Sequence, residues 1–297
     1  MTIAAGFVCK DGVILCADTQ ETIPGYARTD VQKLRSFEVK GINLFFAGAG
    51  NNGIQVDASI EEITDNLRDS PEDLADARRF VRVLRDAVRA VFPMEYYPRA
   101  ETEVDLLMAV QFSSSAKLYR ITDCSVASVT ERVCVGAGLV LANQLLQRYY
   151  SWDASLLEAA IISLYVLYHA KKWVPSCGGN TDIALIPNIG GRMSYMPTEE
   201  VEKIEKYCEA HDKALQRLLT AVPRHPKNKE AFDNEVRNAV IGLTAARSAF
   251  QEWEDVMKEV AAHLGRDYEE MMREAEEGAN RFLNPPPSDS QTSEGQQ

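Results

Sequence analysis

Positive charge is scarce in this sequence. Lys and Arg number 32 against 44 Asp and Glu, which gives a formal net charge of −12 over 297 residues. A surface that binds nucleic acid or an anionic membrane needs basic patches that neutralise phosphate groups. We therefore expect neither a nucleic-acid partner nor a membrane partner, and we interpret the acidity as an aid to solubility.

Long apolar runs and paired cysteines are also missing. No stretch of about twenty apolar residues could span a bilayer, and the first residues lack the basic and apolar segments of an export signal. The six cysteines show no C-x-x-C spacing, and such a scattered arrangement is typical of reduced thiols. We expect a cytoplasmic protein.

Signals for metals and nucleotides are weak. The four histidines show no H-E-x-x-H spacing, and the sequence contains no P-loop lysine. Residues 48–53 formally match G-x-G-x-x-G, but a second helical pattern follows where a dinucleotide fold needs a parallel strand. The sequence therefore predicts no metal ion and no cofactor.

The N-terminus carries the first chemical signal. Thr2 directly follows Met1, and a small second residue normally permits removal of the initiator methionine. The freed Thr2 would combine a hydroxyl with an α-amine, whose reference pKa of about 7.7–8.0 lets it accept the hydroxyl proton near neutral pH. Threonine is also a common second residue, so this position alone does not establish catalysis.

The order of predicted elements indicates an α+β fold. Apolar residues 2–9 and 13–17 flank Lys10-Asp11-Gly12, which predicts a hairpin with Asp18 at its end. Residues 31–39, which include Lys33, and 43–50 predict further strands. Two helices follow within 54–91, then strands at 104–112, 118–121 and 125–135, two helices up to about 172, and a final strand pair at 181–187 and 192–196. This order predicts two packed sheets with a helical layer outside each.

Six motifs in this order resemble the proteasome β-subunits and their bacterial relatives, including the HslV peptidase. They are Thr2 behind Met1, D-G-V-I-L-C-A-D ending at Asp18, V-Q-K ending at Lys33, A-G-A-G containing Gly48, V-G-A-G containing Ala137, and C-G-G beginning at Cys177. The resemblance covers residues 2–197. It implies the four-layer α-β-β-α sandwich of the N-terminal-nucleophile hydrolases.

The resemblance also implies a role for each catalytic position. Thr2 Oγ1 would attack the scissile carbonyl, with its own α-amine as the base. The charge of Lys33 would lower the pKa of that amine and of the hydroxyl, and Asp18 would accept a hydrogen bond from Lys33. The backbone N–H of Gly48 would stabilise the oxyanion.

Some positions extend this pattern and others depart from it. Phe46 and Ala49 match positions that contact the substrate. Three positions depart from the family, because many active members carry Ser where this chain has Ala137, and Asp and Ser where it has Val174 and Cys177. The departures remove polar side chains that orient the amine but do not perform the attack.

The resemblance implies a threonine endopeptidase that works inside a ring-forming homo-oligomer. Its substrates would be peptides or unfolded proteins, and an ATP-dependent unfoldase would be a partner. Two alternatives stay open. One is a weak or inactive structural subunit of such an assembly, which the three departures favour, and the other is an amidase that uses the same nucleophile on a small molecule.

The C-terminal third has no counterpart in the family pattern. Residues 201–222 predict one amphipathic helix, and residues 232–264 carry apolar side chains at alternating intervals of four and three, a heptad pattern that predicts a second helix in a hairpin with the first. A short acidic helix is predicted at 268–282. We expect a hydrolase domain at 1–197, a helical extension at 198–283 and a disordered tail at 284–297. The hairpin would either pack on its own domain or mediate subunit contacts.

Overall fold

The computed structural model describes residues 2–22, 28–92, 104–188, 193–224 and 227–248. The strands in these ranges are β1 (Ile3–Cys9), β2 (Gly12–Asp18), β3 (Gln20–Thr22), β4 (Arg28–Asp30), β5 (Leu34–Val39), β6 (Ile42–Gly50), β7 (Val104–Gln111), β8 (Ala116–Thr122), β9 (Ser125–Val129), β10 (Arg132–Gly136), β11 (Thr181–Pro187) and β12 (Ser194–Tyr195). The helices are α1 (Gly53–Asp69), α2 (Ala77–Val91), α3 (Leu139–Tyr149), α4 (Leu156–Trp173), α5 (Thr198–Arg224) and α6 (Lys229–Ser248).

Two antiparallel five-stranded sheets form the centre of the fold. The first has the strand order β10-β1-β2-β11-β12, and the second has the order β5-β6-β7-β8-β9. Helices α3 and α4 pack on the outer face of the first sheet, while α1 and α2 pack on the outer face of the second. This is the predicted α+β, four-layer α-β-β-α sandwich.

The sandwich has an apolar layer on both faces of its central strands. In β2, Ile14 and Cys16 face the α3 and α4 layer, whereas Val13 and Leu15 face the opposite sheet. Since such strands are buried on both sides, they read as continuous apolar runs and show no alternation. The second sheet packs closely against β1 at Gly6. A Cβ atom added at this glycine would lie only 2.8 Å from the side chain of Leu118 in β8.

Side-chain caps determine where three helices begin. Asn52, Asp76 and Ser155 precede α1, α2 and α4, and each side chain accepts a hydrogen bond from a backbone N–H of the first turn. Glu158 returns a bond to the backbone of Ser155 and completes a capping box. These bonds satisfy amide groups that have no partner within the helix.

Three sequence predictions are wrong in detail. Lys33 is not in a strand, because β5 begins only at Leu34. The predicted single strand at 125–135 divides at residues 130–131, so that β9 joins the second sheet and β10 joins the first. The segment after Asp18, where no strand is predicted before residue 31, contains the two-stranded ribbon of β3 and β4.

The C-terminal extension begins with the long helix α5. Val201, Ile204 and Cys208 of α5 enter the same apolar core as α4, and α6 packs against α5 as the predicted hairpin. The heptad residues after 248, the predicted helix at 268–282 and the predicted tail at 284–297 lie outside the described residues, and the division into domains stays a prediction. None of the helices in the described ranges is long and apolar enough to cross a membrane.

Candidate active site

Thr2 is held at the entrance to β1 between two other strands. Its backbone carbonyl accepts a hydrogen bond from Ala137 N at 2.7 Å, and the next residue, Ile3, pairs with Gly136 of β10. Gly136 has a φ of +90°, and a Cβ atom there would lie 2.1 Å from the Thr2 carbonyl oxygen. A glycine is therefore required for β10 to approach Thr2. The Thr2 residue is only 5% exposed.

Asp18 ends β2 directly beside Thr2 and is fully buried. Its Oδ1 accepts a hydrogen bond from the Thr2 hydroxyl and another from Ile3 N at 3.1 Å. Its Oδ2 accepts from Gly178 N at 2.8 Å. A buried carboxylate with these donors is satisfied on both oxygens, which is the condition for burying such a charge.

Lys33 brings a positive charge to the same two side chains. Its Nζ donates to Thr2 Oγ1 at 2.5 Å and to Asp18 Oδ1 at 2.8 Å, and a third hydrogen bond goes to the carbonyl of Gln20. The Lys33 side chain is 11% exposed. The structure therefore brings together the three predicted residues, with the Thr2 hydroxyl between a cation and a carboxylate.

The ribbon of β3 and β4 returns the chain so that Lys33 reaches Thr2. Thr19 Oγ1 donates to Asp30 Oδ1 at 3.0 Å and accepts from Asn180 N at 2.7 Å, and Val31 N donates to the Thr19 carbonyl at 2.8 Å. Because these bonds connect both ends of the ribbon to the chain after α4, they limit where Lys33 can lie.

A cavity of about 1030 Å³ opens beside the Thr2 hydroxyl. Gly48 of β6 and Thr2 both line it, together with the first turn of α1. A Cβ atom at Gly48 would lie 2.3 Å from Val56 of that helix, so only glycine fits between β6 and α1 here. Gly48 and Thr2, the predicted oxyanion donor and the predicted nucleophile, thus line the same cavity.

The charged side chains that line the cavity differ in whether they form an ion pair. Arg35 forms an ion pair with Asp57 of α1 at 2.5 Å. Glu21 also lines the cavity, with its carboxylate against Gly53, the first residue of α1. Among the described side chains none forms an ion pair with Glu21, whereas Asp57, the other acidic side chain of the lining, is paired with Arg35.

Phe46 and Ala49 are the two predicted substrate contacts. Phe46 is fully buried against the α1 and α2 layer, where its ring meets Phe37 edge to face. Ala49 points into the apolar layer between the two sheets. Neither side chain is among the residues that line the cavity, because both are enclosed by core packing, and their role as substrate contacts stays a prediction.

The three departures from the family pattern contribute no polar side chain to Thr2. Ala137 supplies only its backbone N–H, and Val174 directly follows α4 with its side chain partly buried in the core. Cys177 is buried, and burial together with the neighbouring Asp18 carboxylate raises the pKa of its thiol to about 12. A buried thiol with a raised pKa stays protonated and packs as a small apolar residue.

Sequence reasoning missed the backbone groups of the site and Glu21. The Gln20 carbonyl accepts a hydrogen bond from Lys33, and the Gly178 amide donates one to Asp18. Neither bond could be predicted, because backbone groups are common to all residue types. Glu21 lies only three residues after Asp18, and this short spacing could have identified it as a candidate site residue.

In the described ranges no group of three His, Cys, Asp or Glu side chains could hold a metal ion.

Comparisons with known proteins agree with this geometry. Residues 2–186 match the family model described as Proteasome subunit. Comparison with curated proteins gives no match. Solved structures with a similar fold include Anbu from Hyphomicrobium sp. strain MC1, at 19% identity over 73% of this chain and 97% of that one, with a TM-score of 0.60. Anbu from Yersinia bercovieri, described as an ancestral β-subunit, is 16% identical over 69% and 92%, with a TM-score of 0.57. A helical assembly of the Anbu complex from Pseudomonas aeruginosa is 15% identical over 73% and 95%, with a TM-score of 0.61.

Proposed function

This chain belongs to the proteasome subunit family, and we propose that it is a threonine-type endopeptidase subunit with Thr2 as its nucleophile once Met1 has been removed. The observation that carries the proposal is the Thr2 hydroxyl, which accepts a hydrogen bond from Lys33 and donates one to Asp18 beside a cavity. A structural subunit would need no such arrangement.

The proposed reaction begins at the Thr2 hydroxyl. Thr2 Oγ1 attacks the substrate carbonyl while the freed α-amine takes the hydroxyl proton, and Lys33 stabilises the negative charge that develops on Oγ1. The Gly48 N–H stabilises the tetrahedral oxyanion, a contribution of about 3 kcal/mol in other hydrolases. The amine then protonates the leaving nitrogen, and a water molecule hydrolyses the ester formed on Thr2.

The charge of the cavity supports a substrate class. Arg35 is neutralised by Asp57, whereas Glu21 is left without a described cation. A basic side chain next to the attacked carbonyl would provide the missing partner, and an acidic side chain would meet repulsion. We therefore expect peptides with Arg or Lys at this position to be the better substrates.

A structural subunit without strong activity is the second candidate. The observation that favours it is the lack of polar side chains at Ala137, Val174 and Cys177, which leaves the proposed amine with fewer orienting groups. Both candidates include assembly of several copies, which the helical assembly of the Anbu relative supports. Size-exclusion chromatography with light scattering tests assembly, and a monomer at micromolar concentration would contradict it. An unfoldase partner stays a prediction.

Peptide hydrolysis by three variants tests the proposed function. Wild type, Thr2→Ala and Thr2→Ser are produced without an N-terminal tag, and intact mass establishes which molecules begin at residue 2. We expect hydrolysis of fluorogenic peptides by wild type, retained but slower hydrolysis by Thr2→Ser, and none by Thr2→Ala. Equal rates for wild type and Thr2→Ala, or no hydrolysis by assembled protein that begins at Thr2, would overturn the proposal.

A further inference from the structure

The segment between α4 and β11 supports the buried carboxylate of the site. Gly178 N donates to Asp18 Oδ2 at 2.8 Å, and the Gly178 carbonyl accepts from Gln20 N at 3.0 Å. Thr181, which begins β11, pairs with Asp18 in the sheet. The position of this segment therefore determines where the Asp18 carboxylate lies and where its second oxygen finds a donor.

The same segment is held from its outer side by Glu205 of α5. Thr181 Oγ1 donates to Glu205 Oε1 at 2.9 Å, and Lys171 of α4 donates to the same oxygen. Lys171 Nζ also donates to the Gly179 carbonyl at 3.2 Å. Thr181 is buried, and the Lys171 and Glu205 side chains are 11% and 21% exposed. Charge-assisted bonds with so little water around them are stronger than an exposed ion pair.

Glu205 lies outside the part of the chain that matches the family. The match ends at residue 186, whereas α5 begins at Thr198. Val201, Ile204 and Cys208 of this helix are buried in the core against α4, so the helix holds Glu205 on a rigid base. Two positions on the segment itself, Val174 and Cys177, have no polar side chain that could do the same.

We propose that Glu205 is a positioning residue through which the C-terminal extension orders the active site. By fixing Lys171 and Thr181, it holds the Gly178 amide against Asp18 and so keeps Asp18 aligned with Thr2 and Lys33. The helical extension is then a working part of the site and not only an attachment to the sandwich. This inference rests on the proposed threonine peptidase function.

The alternative is an ordinary ion pair that stabilises α5, and the two ideas differ in what they change. The test uses Glu205→Gln and the control Glu209→Gln, which removes the same charge one turn later from the exposed pair of Glu209 with Lys213. We expect Glu205→Gln to lower kcat about tenfold with KM changed less than about twofold, since misplaced catalytic groups slow the reaction more than they weaken binding. Glu209→Gln should match wild type. Equal kcat values for both variants would overturn the proposal.

Hydrogen exchange followed by mass spectrometry provides a readout that does not need activity. Glu205→Gln should speed amide exchange in peptides that cover residues 174–182, while Glu209→Gln should not. If wild type hydrolyses no peptide, the proposed function fails, yet the exchange result still shows whether Glu205 orders the segment. Should Glu205→Gln fail to fold, Thr181→Val removes the hydrogen bond from Thr181 to Glu205 without a charge change and should show the same two effects. Unchanged exchange in the variant that folds would overturn the proposal.

Discussion

Removal of the Lys33 charge should destabilise the fold as well as stop the reaction. In Lys33→Met the fully buried Asp18 carboxylate loses its cation and retains three neutral donors, namely the Thr2 hydroxyl, Ile3 N and Gly178 N. Removing one partner of a buried ion pair costs about 3–5 kcal/mol. Because the three donors remain, we expect the lower end, a loss of about 3 kcal/mol in the free energy of unfolding.

A double-mutant cycle separates the ion pair from other effects of these substitutions. Asp18→Asn removes the carboxylate charge, so Lys33→Met should cost less in its presence, with a coupling energy of about 2 kcal/mol. Urea unfolding at one fixed protein concentration measures all four proteins, because assembly would otherwise change the apparent stability. Arg89→Met, which removes an exposed ion pair with Asp86, is the control and should change stability by less than about 0.5 kcal/mol.

Two outcomes of these unfolding measurements would refute this reasoning. If Lys33→Met is as stable as Arg89→Met, or if the two changes at Asp18 and Lys33 simply add, the pair is not the buried, charged contact described above. None of the three altered proteins at this pair should hydrolyse peptides. A stable but inactive double variant would show that the pair is retained for chemistry and not for folding.

Three further predictions follow from groups elsewhere in the chain. Glu21→Gln should reduce the preference for Arg over Leu beside the attacked carbonyl on the order of tenfold, measured as the ratio of kcat/KM values; an unchanged ratio would contradict the charge assignment of the cavity. Iodoacetamide should label Cys124 first in the native protein, since it is the partly exposed cysteine and the other five are buried; early labelling of Cys177 would contradict its burial. Burial lowers the pKa of His169 despite the nearby Asp212 carboxylate, so the unfolded chain binds the proton more tightly and stability should fall as the pH drops below about 6.5. His169→Phe should flatten this dependence in urea titrations between about pH 7.5 and 5, and an unchanged slope would exclude His169 as its source.

The sequence predicted the element order better than the sheet to which each element belongs. Residues 125–135 are rich in β-branched and small side chains, which indicates a strand, and the charged pair Glu131-Arg132 at the crossing does not show that the two halves join different sheets. Only the pairing of β9 with β8 and of β10 with β1 separates them. Sheet membership depends on partners distant in the chain, and local propensity does not contain that information.

The same lack of information about distant contacts explains which residues of the candidate site could be predicted and which could not. Thr2, Asp18 and Lys33 could be predicted because each ends or follows a short local motif. The face of β6 on which Phe46 lies could not be predicted, because β6 is buried on both faces and its continuous apolar run does not reveal which face meets the cavity. Glu205 was missed because its contacts with Thr181 and Lys171 span 24 and 34 residues and follow no helical or strand period.

The position of β1 inside the first sheet sets the order in which the surroundings of Thr2 can form. β1 lies between β2 and β10, and the Thr2 carbonyl is bonded to Ala137. The hairpin of β1 and β2 can bring Thr2 and Asp18 together as soon as residue 18 has been synthesised, whereas the second neighbour of β1 follows only with residues 132–137. Asp18 receives its donor from Gly178 later still. The arrangement around Thr2 is therefore complete only when residue 178 has emerged, long after its own side chains have been made.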